Sequence, residues 1–195
     1  MVLASKYRKA LVMPHVAQFS PMLFNEDIDP PAGWYPKPEY VPLSHNMRRT
    51  YRIFRAHQEA WRRLSRPIGL ILEDDAVPNR SDWVEIVNFA IEVLASHEMV
   101  VLHSRCYNLQ EFKASHVQQL GIALLAPAEA NVLMVGSLAY MMSKETAARL
   151  INYPFDGIPS GLYLFRSFEF VVIDPSPFNH DRSEGSMMDN GDRWE

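Results

Sequence analysis

The chain has 195 residues, a formal charge of −4 at neutral pH and 48% hydrophobic content. That is apolar material for one domain with a sizeable core; it excludes wholesale disorder, and the mild acidity excludes the global basic excess of a general nucleic-acid binder. One cysteine, Cys106, excludes an internal disulfide framework and a cysteine-built zinc cluster, and the absence of any apolar run of ~18–20 residues or of a secretory leader completes the expectation of a cytoplasmic chain without a transmembrane segment.

Residues 9 to 13, Lys-Ala-Leu-Val-Met, read as a short buried strand. Residues 20 to 44 hold Pro21, Pro30, Pro31, Pro36, Pro38 and Pro42 with Trp34, Tyr35 and Tyr40 between them, and read as a long ordered loop. From 45 to 65 a helix is expected. Met47, Tyr51, Phe54, Trp61 and Leu64 share one face, and Arg48, Arg52, Arg55, Arg62 and Arg63 share the other. A strand follows at 68 to 73, then a helix at 82 to 96 capped by Ser81-Asp82, with Trp83, Ile86, Val87, Ala90 and Leu94 inward. Met99 to His103 make a strand, and 104 to 120 are polar and without a clear period. Strands are expected at 121 to 125 and 131 to 142, a helix at 144 to 152 capped by Ser143, and a strand at 168 to 173. A polar tail or lid takes up 175 to 195. This alternation predicts a single α/β domain, a three-layer sandwich around a mixed, mainly parallel sheet.

The segment LILEDDAVP, residues 70 to 78, stands out. An apolar strand ends in Glu73-Asp74-Asp75, and three adjacent carboxylates repel one another unless positive charge sits among them. In open α/β sheets ligands bind beyond the carboxyl ends of strands, where this cluster lies. Glu73 and Asp75 point to one side of an extended strand, a hard-oxygen arrangement suited to Mg²⁺ or Mn²⁺ with phosphate oxygens filling the shell. The plainer account of the same triplet is an acidic turn, with one carboxylate capping the next helix and the rest solvated.

The pattern resembles the family-25 glycosyltransferases, the lipopolysaccharide and procollagen galactosyltransferase group, over roughly residues 45 to 188. That family carries an ILEDD strand preceded by a helix with Ser-His and an aromatic; here RAHQEAWRRL supplies Ala56-His57 and Trp61. VGSLAYMMSKETAARLINYPFD places Gly136, Ala139 and Tyr140 at the family's glycine and Ala-Tyr, and Pro154-Phe155-Asp156 at its Pro-x-Asp. VVIDPSPFNHDRSEGSM is similar to its closing segment. The chain departs from the family in two places. Ala56 stands where the family has serine, and KALVMPHVAQFS lacks the Asp and Arg of the family's opening run.

The resemblance implies an A-type (nucleotide-diphospho-sugar transferase) fold and a metal-dependent hexosyl transfer from a nucleotide-diphosphate donor, a UDP-hexose, to an acceptor hydroxyl with inversion. Mn²⁺ or Mg²⁺ would be held by Asp75 with Glu73 or Asp74, and by His180 from the tail. Gly136, Tyr140, Glu73 and Asp74 would contact the donor, and Asp156 would serve as the base. Arg52 and Arg55, on the arginine face, are further candidates for phosphate contact; the ordinary role of such a face is solvation. The acceptor stays open among glycan, lipid-linked saccharide, protein hydroxyl and the hydroxymethylated bases of DNA. His57 and Trp61, on the apolar side of their helix, read first as core. The rival classes are a metal-dependent phosphohydrolase, for which His97 and His103 lack partners at useful spacing, and a degenerate sugar- or nucleic-acid-binding module.

Overall fold

The computed structural model describes residues 2–3, 23–24, 47–73, 75–106, 111–128, 134–155, 164 and 167–180. The expected strand at 9 to 13 lies outside them, as do Asp74, Asp156 and residues 181–195.

The described elements are strands β1 (Val2–Leu3) and β2 (Leu23–Phe24), helix α1 (Met47–Arg62), β3 (Ile68–Glu73), β4 (Ala76–Pro78), α2 (Trp83–Val93), β5 (Met99–Cys106), β6 (Phe112–Val117), β7 (Ile122–Pro127), β8 (Met134–Ser143), α3 (Lys144–Leu150), β9 (Phe170–Asp174) and β10 (Phe178–His180). Eight strands form one sheet in the order β2-β1-β3-β8-β5-β9-β7-β6, and β10 and β4 form a separate antiparallel pair. β1 runs parallel to β2 and β3, and β5 runs parallel to β9. The β3–β8, β5–β8, β7–β9 and β6–β7 ladders are antiparallel.

The sheet is therefore mixed, as expected, but "mainly parallel" holds only in part. β7 and β8 are the two strands that run against the others, and each sits between two neighbours. Their insertion makes antiparallel ladders the more numerous kind among the described strands. Strands β1 and β4 were not expected, and three boundaries differ from the sequence reading. Leu23–Phe24, inside the Pro-rich stretch, pairs as a strand. The polar stretch after His103 holds the end of β5 and the whole of edge strand β6. The expected tail begins with β10.

The buried apolar residues of the sheet divide between two layers. Phe54, Ala60, Trp61 and Leu64, at the inner face of α1 and just beyond it, meet Ala147 and Leu150 of α3, Ile71, Met99, Val101, Tyr140 and Met142. On the other side Ile86, Val87, Ala90 and Val93 of α2 meet Leu72, Val100, Leu102, Met141 and Val171. Neighbours along a strand, such as Ile71 and Leu72, divide between the layers because strand side chains alternate faces. Helices thus lie on both sides of one sheet.

Local chemistry fixes the joins. Leu64 lies so close to the backbone of Gly69 that a Cβ there would meet the Leu64 side chain, so the start of β3 favours a residue without a side chain. Gly121, at φ +57°, takes the left-handed conformation that closes the turn into β7. Ser143 caps α3 as expected, its Oγ accepting from the Thr146 amide at 3.0 Å. Asp82 precedes α2 but makes no side-chain cap bond. Its carboxylate instead accepts from Arg80 at 2.9 and 2.7 Å, and Arg80 also donates to the Leu120 carbonyl, tying the start of α2 to the turn before β7.

Ser143→Ala should lower unfolding stability by about 1 kcal/mol in urea titration, and Ser143→Asp should retain most of it, because only a side-chain acceptor is needed at that position.

Candidate functional site

The site forms where β3 ends. The strand stops at Glu73, Asp75 sits in the following turn, and Ala76 opens β4. The two carboxylates consequently part company. The expected arrangement, both on one side of a continuous strand, gives way to two clusters with different partners.

Glu73 belongs to the α1 side. Ile71 pairs with Tyr140 across the β3–β8 ladder, and Ile71, Glu73 and Tyr140 share the face that α1 covers. Ser137, farther back along β8, donates its hydroxyl to Glu73 Oε1 at 2.6 Å. His57 of α1 brings Nε2 to 3.5 Å from the same oxygen, an attraction carried by charge and dipole more than by hydrogen-bond geometry. The other ring nitrogen, Nδ1, lies 2.7 Å from the Tyr140 hydroxyl, which also accepts from Trp61 Nε1 at 2.9 Å. The His57 and Tyr140 rings stack at 5.6 Å. His57, Trp61 and Tyr140 are all buried, whereas the Glu73 side chain keeps a quarter of its surface exposed. A chain of polar groups thus runs from the core to the tip of β3.

Burial alone would push the Glu73 carboxyl pKa up. Contact with His57, the Ser137 hydrogen bond and the nearby His180 outweigh it, and the group sits below its ordinary value. Burial holds the Tyr140 hydroxyl well above its ordinary pKa; Trp61 opposes that rise and the Glu73 charge adds to it. The phenol therefore keeps its proton at neutral pH.

Asp75 belongs to the second cluster. The antiparallel pairing of β10 with β4 sets His180 opposite Ala76, and His180 Nδ1 comes to 3.3 Å from Asp75 Oδ2. The ring of His103, from β5, packs edge-on against that of His180 at 4.9 Å.

The expected site residues therefore fare differently. Glu73, Asp75 and His180 lie at the tip of β3, and Glu73 is close enough for His180 to act on its charge. Tyr140 is only 1% exposed, and its hydroxyl is engaged by Trp61 and His57. Gly136 lies in β8 beside Ser137. Asp74 and Asp156 lie outside the described residues. Arg55 is half-buried and donates to Gln58, which in turn donates to the Tyr153 carbonyl; Arg52 is half-buried as well. Arg62 and Arg63 both pair with Glu59 on their own helix. That pairing neutralises part of the arginine face.

Two participants escaped the sequence reading. Ser137 carries no motif, and only the β3–β8 register brings it to Glu73. His103 was noticed but had no partner at sequence spacing, because its neighbour comes from 77 positions away.

Among the described residues, no three His, Cys, Asp or Glu side chains converge into a group able to hold a metal ion. The donors that meet are Asp75 and His180. Their chemistry suits a divalent cation whose remaining positions come from substrate phosphates, because Mg²⁺ is commonly held by only one or two protein groups.

No protein-family model matches the chain, and no curated protein does. Among solved structures, HddC from Yersinia pseudotuberculosis superposes with a TM-score of 0.39 at 11% identity, over 88% of this chain and 67% of that one. The same protein complexed with GMP-PN gives 0.39 at 12%, with the same coverage. Superpositions of that quality do not establish a shared fold. No helix among the described residues is long and apolar enough to cross a membrane.

Two outcomes follow from the Glu73 cluster. Tyr140→Phe removes the acceptor of a buried indole N–H and the partner of a buried imidazole, and should lower stability by about 1–3 kcal/mol in urea titration. Glu73→Gln should show a pH signature. A carboxyl with a depressed folded pKa adds stability above its unfolded value, near ~4.3, and loses it as pH falls through the folded value. The gap between wild type and Glu73→Gln should hold steady from pH 7 to 5 and narrow below pH 4, as followed by denaturation midpoints at each pH.

Proposed function

We propose that the chain is a metal-dependent glycosyltransferase of the A-type fold, moving a hexose from a UDP-sugar to an acceptor hydroxyl with inversion. The observation that carries this reading is the pairing of β4 with β10. It delivers His180 to Asp75 at the carboxyl end of β3, the acid and the tail histidine that the family-25 resemblance nominates for one site. The helices on both faces of a mixed sheet agree with it, as does the place of the acids beyond a strand end.

In this reading Asp75 and His180 hold Mn²⁺ or Mg²⁺. The bound ion supplies Lewis-acid stabilisation of the charge that develops on the leaving diphosphate. Glu73 stays ionised and fixed by Ser137 and His57, adding negative charge and a hydrogen-bond acceptor at the same tip. The acceptor hydroxyl requires a general base, a role assigned to Asp156 on the resemblance alone. The acceptor class is left to experiment among glycan, lipid-linked saccharide, protein hydroxyl and DNA.

Thermal denaturation with UDP, GDP, CMP and their sugars, each with and without Mn²⁺, tests the donor half. One nucleotide should raise the melting temperature only when Mn²⁺ is present, by an amount equivalent to about 2.7 kcal/mol at a hundred times its dissociation constant. Asp75→Asn and His180→Ala should abolish that rise. A panel in which no nucleotide stabilises the protein sinks the reading and leaves the non-catalytic binding module in its place. Where transfer is detected, Asp156→Asn should lower kcat by about 10²–10⁴ while leaving the nucleotide-induced rise intact.

A further inference from the structure

The Trp61–Tyr140–His57 chain has a defined proton order. Trp61 Nε1 is a donor only, and it points at the Tyr140 oxygen at 2.9 Å. The phenol has a single proton, and its other neighbour is His57 Nδ1 at 2.7 Å. If Nδ1 carried the hydrogen of a neutral ring, the phenol proton would have no acceptor among the described residues. Nε2 would then present a lone pair to Glu73 Oε1 at 3.5 Å. If the phenol donates to Nδ1 instead, Nε2 bears the hydrogen and faces the carboxylate. The second arrangement gives the phenol proton an acceptor and sets the Nε2 N–H against negative charge.

We propose that Tyr140, acting through His57, and Ser137, acting directly, are positioning residues that fix the Glu73 carboxylate at the tip of β3, with His57 locked as its Nε2–H tautomer. The functional half of this proposal rests on reading that tip as the nucleotide-sugar site; the tautomer does not. Glu73 Oε1 is hydrogen-bonded by Ser137 of β8 and faced by His57 of α1, so one rotamer is favoured before any ligand arrives. Such preorganisation is what a site needs when a carboxylate must hold its geometry among like charges. Neither Tyr140 nor Trp61 reaches the surface to touch a ligand.

The first test uses the unmodified protein. Two-bond ¹H–¹⁵N correlation spectra of histidine side chains, with His57 assigned through His57→Gln, report which nitrogen of the neutral ring is protonated. Protonated Nε2 with bare Nδ1 is expected. Protonated Nδ1 overturns the proposal outright. In Tyr140→Phe the ring should become a mixture of tautomers; an unchanged Nε2–H form would show that Tyr140 does not set it.

The second test separates positioning from structural support. With UDP and Mn²⁺ as probes, Tyr140→Phe and Ser137→Ala should each weaken binding about tenfold, and Ser137→Thr, which keeps the hydroxyl, should recover most of it. Lower melting temperatures with unchanged affinity in both variants would mean that the network supports the core and positions nothing. If the unmodified protein binds no nucleotide, the transferase reading fails, and the tautomer in unmodified protein and in Tyr140→Phe decides the relay by itself. Should Tyr140→Phe not fold, the tautomer of the unmodified protein and the Ser137 pair still decide the matter.

Discussion

The antiparallel register of β8 against β3 is the constraint on which the rest of the site depends. It sets Tyr140 opposite Ile71 and carries Ser137 to the end of β3. A slip of one residue would turn Tyr140 and Met142 toward α2 and send Leu138 and Met141 to the α1 layer, exchanging the two apolar faces. It would also strip Glu73 of its hydroxyl donor. The same strand pairs on its other edge with β5, so one register holds both halves of the sheet together.

The buried polar chain is tolerable because its deep links are hydrogen-bonded and its outer link is an attraction to a carboxylate. An indole N–H, a phenol and an imidazole in an apolar layer would each destabilise the fold if left without a partner. Here the indole donates to the phenol, the phenol meets the imidazole, and the imidazole faces a carboxylate that touches solvent. The carboxylate thus sits at the rim, and the indole, phenol and imidazole lie deep. This arrangement also explains how Glu73 stays ionised despite partial burial, since it receives donors from two sides.

Much of the scaffold was legible along the chain. Helical spacing of Phe54, Trp61 and Leu64 marks the inner face of α1, and that of Ile86, Val87, Ala90 and Leu94 marks the inner side of α2 and the turn after it. Ser143 announces α3 because a hydroxyl before a helix has one obvious use. Asp82 misled for a physical reason: a bidentate arginine two residues away competes for the same carboxylate. β6 was missed because a short exposed edge strand carries polar residues on both faces and leaves no alternating signal.

At the site, the sequence by itself determined which groups are present and that β3 ends in acids, since local periodicity and strand polarity depend only on near neighbours. It named Glu73, Asp75 and His180 as candidates. Which of them meet, and through what, was decided by tertiary structure. Asp75 finds His180 because β10 returns to pair with β4, a contact spanning 105 positions. Glu73 finds Ser137 and His57 because β8 lies beside β3 in the sheet and α1 covers one face of it. No local pattern encodes such meetings, because pairing register and helix docking are settled by burial summed over the whole sheet, and that sum exists only once the chain is folded.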